Sequence, residues 1–447
     1  MEKRTAVLGR AFHSRSFDEV EYFDRALFII DGNGVIEDVF REGSPDFDVA
    51  LEKARKSGGL ETLSRNEVLI PGFVDTHIHA PQWAQSGTAL DQPLEVWLQE
   101  YTFPLEARMK DLEFAERVYS DVVDTTLRHG TTTSLYFATV DRKPSELLCR
   151  IAGEKGQRAL VGKVVMDDRL GNPDFCRDES PERAIEETEE FIRNILDIQD
   201  DYAQKVYPVI TPRFIPSCTD ESLRGMGDLI EKYGIHVQTH CSESDWEHGF
   251  ALERYGITDA EALDRFGILT DRTVVAHATF LTEENVKLLA RRGTSIGHSP
   301  ISNAYFASSV LPLREFHEKG VTIGLATDVS GGYSPSMYAA IRQAVISSRM
   351  LDTGVDPRLP RSERGRAGSA ITLNNAFYTA TVGGGEALKL PVGRFEKGYS
   401  FDAQVVDISR LPIYMDERKD EDLLHRILLL SESSDISEVW VQGRKVR

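Results

Sequence analysis

The chain has 447 residues, 41% hydrophobic and 28% charged, enough for one large barrel-sized domain and an accessory domain. No uninterrupted apolar run approaches the ~18 residues of a membrane span, and the polar, acidic start MEKRTAVLGRAFHSRSFDEVEYFD lacks the apolar core of a secretory signal, so a cytoplasmic protein without a membrane partner is expected. A formal net charge of −20 disfavours nucleic acid or an anionic membrane as partner and makes a small neutral or cationic ligand easier to accommodate.

In chain order, residues 1–70 are β-rich, with FIIDGNGVIEDVF placing two apolar strands around an Asp31-Gly32-Asn33-Gly34 turn. Val68, Leu69 and Ile70, a Pro71-Gly72 break, and then Phe73 and Val74 run into Asp75, His77 and His79. This reads as a buried strand ending at a polar site. Seven more apolar strands follow: TTTSLYFATV, RALVGKVVMD, VYPVITPRF, GIHVQTH, RTVVAH, TSIGHSP and VTIGLATD. Helix-like stretches such as ESLRGMGDLIEKY and TEENVKLLARR lie between many of them, so residues 71–388 have the pattern of an α/β fold, a (β/α)8 TIM-type barrel. Residues 389–447 return to strands, FDAQVVDI and SEVWVQGRKV, the latter split at Gly443. The polar stretches 352–370 and 416–422 are expected as surface loops. Cys149, Cys176, Cys218 and Cys241 are scattered without a CxxC, against a disulfide framework or a thiolate zinc site.

In a barrel of this kind, functional side chains sit at the C-terminal ends of the strands. His77 and His79 close strand 1, Arg213 strand 4, His240 strand 5, His277 strand 6, His298 strand 7 and Asp328 strand 8. Residues two apart in a strand point the same way, so His77 and His79 offer two imidazoles to one cation. With His240 and Asp328 they supply three nitrogens and one oxygen, a set suited to Zn²⁺, or to Fe²⁺, with one position left for water. Such an ion lowers the pKa of water to about 7. Glu243, three residues past His240, can shuttle the water's proton, and His277 can orient the nucleophile. His13, His129, His236, His248, His317 and His425 fall at positions without matching partners and are read as structural or solvated. Ser330, Gly331 and Gly332 are read as shaping the loop after Asp328.

The motifs PGFVDTHIHA, HCSE, VVAH and TD, in that order, resemble the amidohydrolase superfamily. THIHAPQ, LEVWLQEYTFPLEAR, HGTTTSLYFAT, GQRALVGKVVMD, ITPRF and ATDVSGGYS resemble, over nearly the whole length, its guanine-deaminating branch. That resemblance implies one metal ion per chain, usually zinc, in a barrel flanked by a small β-sandwich from both termini, and commonly a homodimer. It also implies that guanine is the small-molecule substrate, with Gln82, Arg213 and Phe214 beside His240, Glu243 and Asp328 as its binding residues. Arg213, at the barrel mouth, can donate to a purine carbonyl, and Gln82 can donate and accept along a ring edge. Binuclear members carry a bridging carboxylated lysine at the end of strand 4. Here that strand ends TPRF, and Lys163, within strand 3, reads as structural. HSPISN departs from the branch's HCPNSN form and leaves His298 as a supporting or structural group. Two alternatives stay open: a mononuclear relative acting on a modified adenine, a pterin or a chlorinated triazine, and a non-catalytic assembly protein on the same fold.

Overall fold

The Pro71-Gly72 break divides the first apolar run between two sheets. Glu67–Pro71 pairs antiparallel with Ala403–Asp407 in a sheet built from the two ends of the chain, and Phe73–His79 opens a second sheet. At the crossing, a Cβ on Gly72 would stand 2.2 Å from Thr132 Oγ1, so the close approach requires glycine. The computed structural model describes residues 5–412 and 420–447.

The second sheet holds eight parallel strands in sequence order: β1 (Phe73–His79), β2 (Thr131–Phe137), β3 (Arg158–Val165), β4 (Val206–Pro212), β5 (His236–Cys241), β6 (Thr273–His277), β7 (Ser295–His298) and β8 (Ile323–Leu325). β2 and β3 are buried along their whole length, as expected of barrel strands covered on both faces. The seam between β8 and β1 is closed at the catalytic end: Asp328 N donates to His77 O (2.9 Å) and His79 N to Val329 O (2.8 Å). Asp75 accepts from Thr327 N at 3.1 Å and from Thr327 Oγ1 at 2.5 Å. Burial pushes the Asp75 carboxyl up to about 7, against the lowering effect of these bonds.

Helices cover the barrel where polar caps and apolar stripes predict them. Asp220–Tyr233 starts at Thr219, whose side chain accepts from Ser222 N, and stops at Gly234 in the left-handed region. Glu283–Arg292 begins with a Thr282/Asn285 capping box. Among the described residues no helix is long and apolar enough to cross a membrane.

The terminal strands form one eight-stranded hydrogen-bonded sheet, so the two layers of the expected sandwich are parts of a single sheet. Thr5–Ser14 shifts register between Gly9 and Ala11. It pairs with Leu60–Thr62 before the shift and with Glu67–Pro71 after it. Such a shift bends the strand. Phe28, on the strand next to one edge, meets Phe401, just before Ala403–Asp407 three strands away, with ring centroids 6.0 Å apart. At about 4.8 Å per strand a flat sheet would keep them well over 10 Å apart, so the sheet curls around one apolar core. The Asp31–Gly34 and Gly443 turns lie where expected. Of the predicted loops, residues 352 and 353 instead complete the helix Met337–Thr353, and 420–422 open the helix Asp420–Leu430; 416–419 lie outside the described residues.

Arg158, at the start of β3, ties the barrel to this sheet. Its guanidinium pairs with Asp402 and donates to Ser400 Oγ (2.9 Å) and Gln442 Oε1 (2.5 Å), all at buried or partly buried positions. Asp402→Ala leaves that guanidinium without its counter-charge and is expected to cost about 3–5 kcal/mol. Urea unfolding would measure it; a loss under about 1 kcal/mol would show that the hydroxyl and amide partners suffice.

Candidate metal centre and substrate pocket

His77, His79, His240, His277, Glu243 and Asp328 converge at the C-terminal end of the barrel, each at most 7% exposed. Two of them stand beyond the strands they were expected to close or in unusual backbone. β8 ends at Leu325, and Asp328 is reached three residues later with φ 49°; His277 and Ala278 have φ 71° and 56°, and Ser242 has φ 53°. Non-glycine residues rarely adopt this left-handed region, and here it aims the side chains inward over the barrel.

The donor atoms crowd one small space. His79 Nε2 lies 3.1 Å from His240 Nε2, His77 Nε2 3.1 Å from Asp328 Oδ1, and His79 Nε2 3.6 Å from the same oxygen. Ligands around a tetrahedral ion at 2.0–2.1 Å are about 3.3 Å apart, so these separations fit one shared cation. His77 Nε2 and His277 Nε2 have no hydrogen-bond partner although buried, a condition that a ligand or an ion relieves. His240 Nδ1 donates to Arg213 O at 2.8 Å, which turns the Nε2 lone pair into the cluster. Burial, aided by neighbouring imidazoles and Arg213, drives His77, His79 and His240 well below the usual histidine range, leaving them as the neutral imidazoles that bind metals. Three overlapping sets of possible ligands share this space: His77, His240 and His277; His77, His79 and Asp328; Glu243, His277 and Asp328. The arrangement could hold a metal ion.

Beside it, Glu243 Oε1 lies 3.6 Å from His277 Nε2, and Asp328 Oδ2 lies 4.0 Å from that nitrogen. His277 Nδ1 pairs with Asn303 Oδ1 at 2.9 Å, which directs Nε2 toward the two carboxylates. Burial pushes Glu243 up to about 8, with Asp328 adding and Arg213 opposing. Asp328 is also raised by burial, while His277 and Arg213 pull it back. Two acids of raised proton affinity thus flank one imidazole.

A cleft opens above the cluster, lined by His79, Gln82, Arg213, Phe214, His240, Glu243 and Asp328, with Leu94, Trp97, Leu98 and Phe306 as an apolar wall. Gly331 also faces it, where a Cβ would come within 3.0 Å of Asp328 Oδ2. Arg213 is not at an open mouth: it is 3% exposed, one residue beyond β4, and forms a two-point ion pair with Glu106 (NH1–Oε2 2.6 Å, NH2–Oε1 3.2 Å). Gln82 Nε2 donates to the same Glu106 at 2.9 Å. Glu106, Asn303 and the apolar wall were not singled out from the sequence. Glu106 and three residues of the wall do lie in LEVWLQEYTFPLEAR, a stretch that carries the resemblance only as a whole.

The remaining candidates face elsewhere. Lys163 Nζ pairs with Asp178 Oδ1 at 2.6 Å, and no lysine stands at the end of β4. His298 is buried outside the ligand sets. His13 bonds Glu21, His129 the Thr125 carbonyl, His236 the Leu388 carbonyl and His425 Asn374. His317 stacks on Phe17, and His248 lies 3.9 Å from Asp259. The four cysteines are free and buried.

A barrel with inward imidazoles and carboxylates at its C-terminal face defines the metal-dependent hydrolase class, and the chain belongs to the amidohydrolase family, whose model matches residues 68–446. Within that class, the chain is similar to guanine deaminases. The guanine deaminase of Dictyostelium discoideum is 36% identical over 98% of this chain and 97% of its own length; that of Homo sapiens is 38% identical over 95% and 92%. The structure of a guanine deaminase from C. acetobutylicum with bound guanine in the active site matches with a TM-score of 0.88 at 28% identity, covering 99% of each chain.

Proposed function

We propose that this protein is an enzyme that removes the exocyclic amine of guanine by hydrolysis, giving xanthine and ammonia. The observation that carries the reading is the pocket wall: a buried guanidinium and a carboxamide, both tied to Glu106, stand beside the cluster of imidazoles and carboxylates. Similar chains of nearly full length are guanine deaminases.

His77, His79, His240 and Asp328 would hold the ion, with zinc the best match to three nitrogens and one oxygen and Fe²⁺ the alternative. When bound, the divalent cation supplies the Lewis acidity that makes water nucleophilic near neutral pH. Arg213 donates to the purine carbonyl, Gln82 pairs with a ring-edge group, and Phe214 closes over the ring. Water attacks C2 as Asp328 takes its proton. Glu243 gives its proton to a ring nitrogen, then takes the proton of the newly added hydroxyl and hands it to the amine; the C2–N bond breaks as the C2 carbonyl forms, ammonia leaves, and the proton held by Asp328 returns to Glu243. His277, held by Asn303, keeps the nucleophile aligned between the two acids. A homodimer and residence in the cytoplasm go with this reading; four free, buried cysteines suit a reducing compartment.

Ammonia release from guanine, adenine, cytosine and a pterin, and chloride release from a chlorinated triazine, test the substrate. Guanine is expected to be turned over at least about 10³-fold better than adenine, which presents no carbonyl to Arg213. Equal rates on adenine, or faster reaction of the pterin or triazine, would replace the proposal with one of its rivals.

A further inference from the structure

We propose that Glu106 decides which purine edge the pocket accepts, by fixing the direction of both the Arg213 guanidinium and the Gln82 carboxamide; the proposal rests on the guanine reading above. Glu106 stands on the short helix Phe103–Ala107, 1% exposed, and does not line the cleft itself. Its carboxylate meets Arg213 at 2.6 and 3.2 Å and Gln82 Nε2 at 2.9 Å.

A carboxylate only accepts hydrogen bonds. Gln82 must therefore turn its NH₂ toward Glu106, which leaves Oε1, accepting from Ser330 N at a long 3.4 Å, with a second lone pair for a ligand. To a ligand, Gln82 then presents an acceptor. Arg213 spends one edge of its fork on Glu106, and its remaining N–H groups stay available as donors. The wall offers one donor and one acceptor in a set order, held by one buried carboxylate.

Guanine answers that order with a carbonyl at C6 and a protonated ring nitrogen beside it. 2,6-Diaminopurine carries the same 2-amine for removal, yet reverses the pattern, with an amine at C6 and a bare nitrogen at N1. With Gln at 106 the buried amide can present either its oxygen or its NH₂, so only the long Ser330 N contact opposes a flip of Gln82, and Arg213 loses its counter-charge. Glu106 is thus a positioning residue whose effect is read in selectivity.

The experiment compares ammonia release from guanine and from 2,6-diaminopurine by the wild-type holoenzyme, Glu106→Gln and Glu106→Asp, with metal content measured in each. Wild type is expected to favour guanine by at least about 10³-fold, as sites built around specific hydrogen bonds do. Glu106→Gln is expected to keep its metal and lose at least about 30-fold of that preference. Glu106→Asp keeps the charge, is one methylene shorter and cannot bridge both partners; it should lose less, about tenfold, and it carries the test if the glutamine variant does not fold. A preference unchanged from wild type in both variants, whatever their absolute rates, would overturn the proposal. Wild-type protein inactive on guanine is a separate outcome, one that would overturn the substrate reading beneath it.

Discussion

His77→Ala is expected to strip the protein of its metal and to lower guanine turnover by at least about 10³-fold, because it removes a proposed ligand from the centre of the cluster. His77 belongs to two of the three overlapping ligand sets, and its Nε2, buried and without a hydrogen-bond partner, is 3.1 Å from Asp328 Oδ1. That nitrogen has no hydrogen bond to lose, and the ring's edge-on packing on Phe137 is the contact given up. The fold should survive, since β1 keeps its backbone bonds to β2 and to the Asp328 segment. Asp328→Asn, nearly isosteric, is expected to match it in activity, since it removes both the proposed charged ligand and the proposed acceptor of the water's proton. Elemental analysis alongside ammonia release reads both variants, and a His77→Ala protein that retains a full complement of metal and most of its activity would refute the ligand role.

Glu243→Gln is expected to keep the metal and bind xanthine nearly as well as wild type, yet lose kcat by roughly 10²–10⁴-fold, the range that positioned acid–base groups supply. Glutamine preserves size and hydrogen bonding but cannot carry a proton between water, ring and amine. In the fold, Glu243 is 3.6 Å from His277 Nε2 and its affinity for a proton is raised by burial and by Asp328, which suits a group that must hold and release one. Metal content separates this role from ligation, and a variant near wild-type rate with one bound ion would pass the proton transfer to another group.

Which parts of this were legible in the sequence follows from the range of the interactions. His77 and His79 are two apart in a strand, and period-two alternation alone puts both on one side. Strand ends carrying His240 and His277 were equally local. The Arg213–Glu106 pair is separated by 107 residues, and nothing near either residue reports the other. A lone Arg after an apolar strand therefore reads as a mouth residue, while the structure buries it because a carboxylate from a distant helix neutralises it. Asn303 is hidden for the same reason, since its contact with His277 forms only when β6 and the segment after β7 are side by side. Asp328 was found by its motif, but its left-handed backbone and its place three residues past β8 are set by the seam bonds to β1. The terminal strands could be recognised one by one, whereas their union into a single curled sheet depends on the register shift at Gly9 and on ring contacts between distant aromatics.

The central claim, guanine deamination at a one-metal centre, is tested most directly by adding Zn²⁺ stepwise to protein verified as metal-free and following the formation of xanthine from guanine. Turnover is expected to be absent at the start, to rise linearly and to saturate at about one equivalent per chain. Full activity in the metal-free protein, or saturation only at two equivalents, would contradict it.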